Sequence, residues 1–305
     1  MRRTIAALVT ATAVAVTVTG CGSTQDAEPR AAGAGAGAGL APLSDAEQWR
    51  ISDAQQRLIK ECMSRKGFRY WEAERLSLEA SRTQGYVSDD VAWARKHGYG
   101  SRIRAEQERA RRANPNAAYR QSLPGERRKA YDEALDEGVH APVISAELPG
   151  GGTVRKRVGG CVAEAERHLY GDPETWFRAE KTAGSLQPVY VPQLMADRTF
   201  SAALAAWARC MERAGHPYKD PGAARQAALQ QAQETGPAEA FETERKLAVA
   251  DATCAGETRL RSIGTERETH YVNKLRGRYG EALDTHARLQ REALTRAIGI
   301  VGPRA

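Results

Sequence analysis

Apolar residues recur at helical spacing through most of this chain, and capping signals divide the pattern into elements. Ile51, Gln55, Leu58, Ile59, Cys62 and Met63 share one helical face. Ser44 with Glu47 has capping-box spacing, Ser52 with Gln55 is a second candidate start, and Gly67 offers the left-handed residue that ends such a helix. Ser88-Asp89-Asp90 caps a short helix that carries Trp93 and ends at Gly98, and Gly98-Tyr99-Gly100 makes a turn with Tyr99 at its tip. Ser101 opens an Arg-rich helix that Asn114-Pro115-Asn116 stops, and Ser122-Leu123-Pro124 begins another through Tyr131 and Leu135.

Residues 138–152 read as a Pro- and Gly-rich loop in which Val143-Ile144 is the one strand-like fragment. Helix is expected to resume near Thr153, because Val154, Val158, Cys161, Val162, Ala165 and Leu169 make an apolar stripe. Gly171 ends it, and Asp172-Pro173 fits an N-cap followed by proline, leading into Trp176 and Phe177. Residues 184–196, with Pro188-Val189-Tyr190-Val191-Pro192, read as an extended linker. Beyond it Asp197 caps a helix that buries Phe200, Ala203, Leu204, Trp207, Cys210 and Met211, until Gly215 and His216-Pro217 enforce a stop. An Ala/Gln helix follows. Gly236-Pro237 starts another, in which Leu247, Ala250, Asp251 and Cys254 share a side, and residues 264–298 form one long charged helix. Its stripe of Val272, Leu275, Tyr279, Leu283, His286 and Leu289 is expected to pack on its own chain.

One stretch occurs twice. Cys62-Met63-Ser64-Arg65-Lys66-Gly67-Phe68-Arg69-Tyr70 and Cys210-Met211-Glu212-Arg213-Ala214-Gly215-His216-Pro217-Tyr218 both set Cys-Met near the end of an amphipathic run, Gly four residues after Met and Tyr three after Gly. A second cysteine follows in each half, Cys161 and Cys254. The chain therefore reads as all-α: two degenerate helical cysteine units, over 44–183 and 197–305, with a long C-terminal helix.

The N-terminus sets the expected compartment. Arg2 and Arg3 precede an apolar run over residues 5–19, and Val18-Thr19-Gly20-Cys21 has the form of a lipobox. Residues 1–20 thus read as a lipoprotein signal peptide and Cys21 as the acylated, palmitate-bearing first residue of the mature chain. The apolar run is short for a membrane span. Residues 21–43, in which Gly alternates with Ala, read as a tether with a reach of about 25 Å. The expected location is the outer face of the cytoplasmic membrane, with the membrane engaged through Cys21.

Setting Cys21 aside leaves four cysteines, an even number in a compartment that permits disulfides. Three pairings are open, and the repeat favours Cys62–Cys161 and Cys210–Cys254. Among the 305 residues 41% are hydrophobic but only 6% aromatic, which favours helices over sheets. The formal charge of +7 is interspersed with acids and reads as a solvated helical surface rather than a polyanion-binding patch.

Cys210-Met211-Glu212-Arg213-Ala214-Gly215-His216-Pro217-Tyr218-Lys219-Asp220-Pro221 resembles the Cys-Met-x-x-x-Gly…Asp-Pro signature of actinobacterial secreted lipoproteins with no settled activity. Asp90-Val91-Ala92-Trp93-Ala94-Arg95, Gly98-Tyr99-Gly100, Tyr131-Asp132-Glu133-Ala134-Leu135, Gly160-Cys161 through Tyr170-Gly171 and Ala248-Val249-Ala250-Asp251-Ala252-Thr253-Cys254 are similar to the same group. The resemblance implies export, lipid anchoring and a helical fold, and carries over no catalytic residue. The first copy departs from the signature, because Tyr70-Trp71-Glu72 replaces Asp-Pro.

Catalytic motifs are absent: there is no His-Glu-x-x-His, phosphate-cradling Gly-x-x-x-x-Gly-Lys, Gly-x-Ser-x-Gly or Ser-x-x-Lys. The six histidines are scattered, Glu164 and His168 share a face at i, i+4, and the cysteines lack the short spacing of zinc sites. No cofactor, metal or nucleic-acid partner is expected, and the arginines of 102–112 are expected to pair with their intervening glutamates. Tyr70, Trp71, Trp93 and Tyr99, with Phe68, form the candidate interaction surface, although in an aromatic-poor chain such rings also serve as core anchors. The sequence thus points to an envelope binding or interaction protein, for an envelope protein or wall polymer. An envelope hydrolase acting on wall glycan or peptide is the alternative.

Overall fold

A computed structural model of the chain describes residues 42–73, 77–82, 85–136 and 141–302. The expected signal peptide, Cys21, most of the tether and His140 lie outside the described residues. The capping box at Ser44 is real and opens α1 (Asp45–Arg65): Ser44 N–H donates to Glu47 Oε2 at 2.7 Å, and Glu47 N–H donates to Ser44 Oγ at 3.3 Å. Short helices follow, α2 (Leu78–Ser81), α3 (Val91–His97), α4 (Ser101–Arg112), α5 (Pro115–Ser122) and α6 (Gly125–Leu135). Asp90 caps α3 by accepting Trp93 N–H at 2.9 Å, and Asn114 with Pro115 ends α4 and starts α5.

The next segment departs from expectation. Val143–Glu147 (β1) and Thr153–Arg157 (β2) form an antiparallel hairpin, with Val143 opposite Arg157 and Glu147 opposite Thr153. Gly151 and Gly152, at φ 96° and 86°, turn the chain between them. Helix therefore does not resume at Thr153 but at Gly160, in α7 (Gly160–Tyr170). Val154 belongs to a strand with alternating exposure, whereas Cys161, Ala165 and Leu169 keep their place on the buried helical face.

α8 (Pro173–Gly184) starts at the expected Asp172-Pro173 cap. The segment read as an extended linker is instead helical, α9 (Gln187–Met195), with Pro188 in the first turn and Pro192 inside. Pro188 costs nothing where the N–H has no intrahelical partner, and so short a helix loses a single internal bond at Pro192. Then come α10 (Arg198–Arg213), α11 (Pro221–Glu234), α12 (Pro237–Glu257) and α13 (Leu260–Val301). None of the described helices is long and apolar enough to cross a membrane.

The disulfides are Cys62–Cys161, joining α1 to α7, and Cys210–Cys254, joining α10 to α12. All four cysteines are buried. The repeated sequence stretch has a structural cause at its glycine. Phe68 N–H donates to Met63 O at 2.9 Å and Gly67 N–H to Ser64 O at 3.0 Å, while His216 N–H donates to Met211 O at 2.8 Å and Gly215 N–H to Glu212 O at 3.0 Å. Both are complete Schellman caps, with Gly67 at φ 77° and Gly215 at φ 82°. Met63 and Met211 are wholly buried beneath the caps, so each copy ends a helix and fixes a cystine at the same turn. The copies diverge just afterwards. Asp220-Pro221 caps α11, with Asp220 Oδ1 accepting Ala223 N–H at 2.8 Å, whereas Glu72 in the first copy pairs with Arg57 and Lys60 of α1, each at 3.0 Å.

The core crosses between the two sequence halves. Around the first cystine, Ile59, Met63, Phe68, Leu123 and Tyr131 pack together; around the second, Phe200, Trp207, Met211, Leu247 and Leu260 do so, with Val87 and Tyr99 against them. A third cluster sets Leu43, Ile51, Ala54 and Leu169 against Ala293, Leu294 and Ala297. α13 thus packs on α1, α7 and α8 as well as α9, α10 and α12.

Candidate functional site

α12 turns an unusual face inward. Ala240, Phe241, Leu247, Ala248, Ala252 and Ala255 are buried on it, and so are two acids, Glu244 (6% exposed) and Asp251 (2% exposed), two helical turns apart. Small side chains let α3 approach closely, and the corner between α3 and α4 is held there by the acids. α4 begins after Gly100, at φ 85°, with no side-chain cap of its own. Glu244 Oε1 fills that role from a distant part of the chain, accepting Tyr99 N–H at 2.7 Å and Ser101 N–H at 3.1 Å. A Cβ on Gly98 would lie 2.9 Å from the same oxygen, and Gly98 has φ 61°, so glycine is required there on both counts.

Asp251 is held by two donors. Its Oδ2 accepts Tyr99 Oη–H at 3.1 Å and its Oδ1 accepts Trp207 Nε1–H at 3.0 Å. Burial nevertheless pushes its carboxyl up to about 6, because the two bonds and the attraction of Arg225 only partly offset desolvation. Burial, the Asp251 charge and the bond to Asp251 together push the Tyr99 phenol far above its ordinary value.

These residues surround a partly enclosed cavity of about 220 Å³. Trp93, Tyr99, Glu244 and Asp251 line it with the small apolar side chains of Ala94, Ala228, Ala232, Ala248 and Ala252, and Arg104, Arg225 and Leu229 join the wall with Ser88, Gly98 and Ser101. Both arginines are engaged on the backbone: Arg104 Nη1 donates to Tyr99 O at 2.7 Å and Arg225 Nη1 to Gly85 O at 2.9 Å. Trp93 and Glu244 each present a polar group that the chain does not pair. Trp93 Nε1–H is buried with no acceptor, whereas Glu244 Oε2 accepts no bond from the chain but is not sealed from solvent, among the described residues. Both oxygens of Asp251 are occupied, which suits a structural or binding role better than proton transfer.

The expected aromatic surface divides in two. Trp93 and Tyr99 meet at the cavity, and Trp93 is 7% exposed. Tyr70 and Trp71 lie elsewhere, beside the first cystine's core: Tyr70 Oη–H donates to Gln56 Oε1 at 3.0 Å, and Trp71 sits edge-on to Tyr119 with Arg69 Cζ 4.4 Å above its ring. Phe68 is a core anchor against Tyr131. His168 is exposed and its helical neighbour Glu164 pairs with Arg65, while Glu108 takes Arg111 and Arg112 within α4. Among the described residues no three His, Cys, Asp or Glu side chains cluster in a way that could hold a metal ion.

Sequence reasoning missed Glu244, Arg104 and Arg225 as site residues and noted Asp251 only for sharing a side with Cys254. The available signal was two acids at i, i+7 on an otherwise alanine-rich helical face. No protein-family profile, curated protein or solved structure matches the chain.

Proposed function

We propose that this chain is a lipid-anchored, extracytoplasmic binding protein, held on the outer face of the cytoplasmic membrane through Cys21, that takes a small ligand in the cavity beside Glu244. The lipobox at residues 18–21, the Gly/Ala tether and the likeness to actinobacterial lipoproteins support the anchor and the location. One observation carries the binding role: a cavity walled by two aromatic rings and small apolar side chains contains a buried carboxylate satisfied on one oxygen only. Two measurements test the proposal. Metabolic palmitate labelling is expected in the wild type and lost in Cys21→Ala; label retained in that variant would refute the anchor. A thermal-shift screen of small envelope metabolites is expected to give hits that vanish in Ala232→Trp, which fills the cavity from an exposed position on α11.

A further inference from the structure

Resting on the cavity as a ligand site, we propose that its ligand carries a protonated primary amine on a short apolar body, with the ammonium group seated on Glu244 Oε2. A carboxylate on a residue that is 94% buried gains from full hydrogen bonding or a countercharge, and Oε2, which is not sealed from solvent, is open to a donor that enters the cavity. Glu244 has neither from its own chain. Two backbone N–H groups occupy Oε1, and none of the ion pairs among the described residues involves Glu244. The two arginines of the cavity wall are turned onto Tyr99 O and Gly85 O. Asp251 offers no second seat, because Tyr99 and Trp207 fill both its oxygens.

An ammonium group provides both missing elements, a donor for Oε2 and a positive charge. A quaternary ammonium has no N–H to give, and the Tyr99 ring it would lie on already carries Arg225, with Cζ 5.6 Å from the centroid. A carboxylic or phosphoric acid would bring a third negative charge beside two buried carboxylates. A bare metal ion would find one free oxygen where several are needed. The volume of about 220 Å³, below that of drug-sized pockets, and the alanine-rich wall limit the body of the ligand to a short alkyl chain or a single small ring.

The test uses the full-length protein in detergent and four probes of matched size, n-butylammonium chloride, tetramethylammonium chloride, sodium butyrate and n-butanol, at constant ionic strength. Binding is read by intrinsic-fluorescence melting and by calorimetry. Butylammonium is expected to bind more tightly than the other three. Glu244→Gln keeps an acceptor for Tyr99 N–H and Ser101 N–H, and should weaken butylammonium at least about tenfold, the scale of one charge-assisted hydrogen bond. Ala232→Trp should abolish it. Equal binding by the Gln variant would overturn the assignment to Glu244. Binding of butyrate, butanol or tetramethylammonium in preference to butylammonium, lost in Ala232→Trp, would keep the ligand site and overturn the amine. If none of the four binds and no other compound gives an Ala232→Trp-sensitive shift, the cavity reading fails as well. Should the Gln variant not fold, the ranking of the four probes on wild-type protein decides.

Discussion

Replacing Asp251 by asparagine should stabilise the protein at neutral pH and leave it unchanged in acid. The carboxyl is 2% exposed and its pKa rises from 3.8 to about 6 on folding, chiefly through desolvation. A carboxyl whose folded value is raised is charged more easily in the unfolded chain. Its contribution is therefore zero below 3.8, grows unfavourable as pH climbs through the interval, and is complete above about 6. At about 1.4 kcal/mol per pH unit, holding Asp251 ionised at pH 7 costs about 3 kcal/mol relative to the unfolded state. Asp251→Asn removes that cost and keeps the local bonding, since the amide oxygen accepts Trp207 Nε1–H and the amide nitrogen donates to Tyr99 Oη. Other groups pull the opposite way. Asp197 is held at about 2, mainly by its bond from Phe200 N–H, and so stabilises above 3.8 and is lost in acid. Such terms are common to both proteins and cancel in the difference. Urea unfolding from pH 4 to pH 8 should show the variant equal to wild type near pH 4 and more stable by up to about 3 kcal/mol at pH 7. A difference that does not vary with pH would refute the reasoning.

Gly98→Ala should cost about 1–3 kcal/mol, because the new methyl group meets Glu244 Oε1 at 2.9 Å in a left-handed residue. Gly67→Ala, equally left-handed but facing open space, should cost only about 1 kcal/mol; equal losses in urea titrations would contradict the role of Glu244 at that corner. Replacing the Cys62–Cys161 or the Cys210–Cys254 pair by alanine should each cost about 4 to 5 kcal/mol on the loop-entropy relation, the longer loop slightly more. A loss below about 1 kcal/mol in denaturant midpoints would show that the bridges do not staple the fold. Trp207→Phe removes a donor from Asp251 and should lower stability by about 1–3 kcal/mol, with a steeper fall between pH 4 and pH 7 than in wild type.

Local signals were legible because they act within a few residues. Ser44 with Glu47, Asp172 with Pro173 and Asp197 each satisfy orphan N–H groups of the adjacent turn, and the apolar faces placed every cystine sulfur in the core. The cystine pairing favoured by the repeat is the one observed. Weak periodicity failed. Thr153–Arg157 offers a single valine among charged residues, so its alternation is nearly silent, and Val154 and Val158 fit a helical stripe equally well. Two prolines made Gln187–Met195 look extended, though only Pro192 costs a bond. The site was the least legible part. Glu244 acts on Tyr99 and Ser101, and Asp251 on Tyr99, partners some 145 positions away that no local pattern connects.

That α13 follows both cystines in chain order bears on how the molecule is made. The two disulfide loops follow one another without interleaving, so the first bridge can close once residue 161 has emerged, before either cysteine of the second exists. The surface that this bridge stabilises is nonetheless unfinished at that moment. Leu43, Ile51, Ala54 and Leu169 await Ala293, Leu294 and Ala297, and Glu47 awaits Arg291, across a separation of 244 residues. From the closing of that bridge until residues 293–297 emerge, synthesis leaves a covalently fixed but open apolar groove, a species prone to self-association until α13 closes it. Truncation within the final turns of α13 would make that transient state permanent.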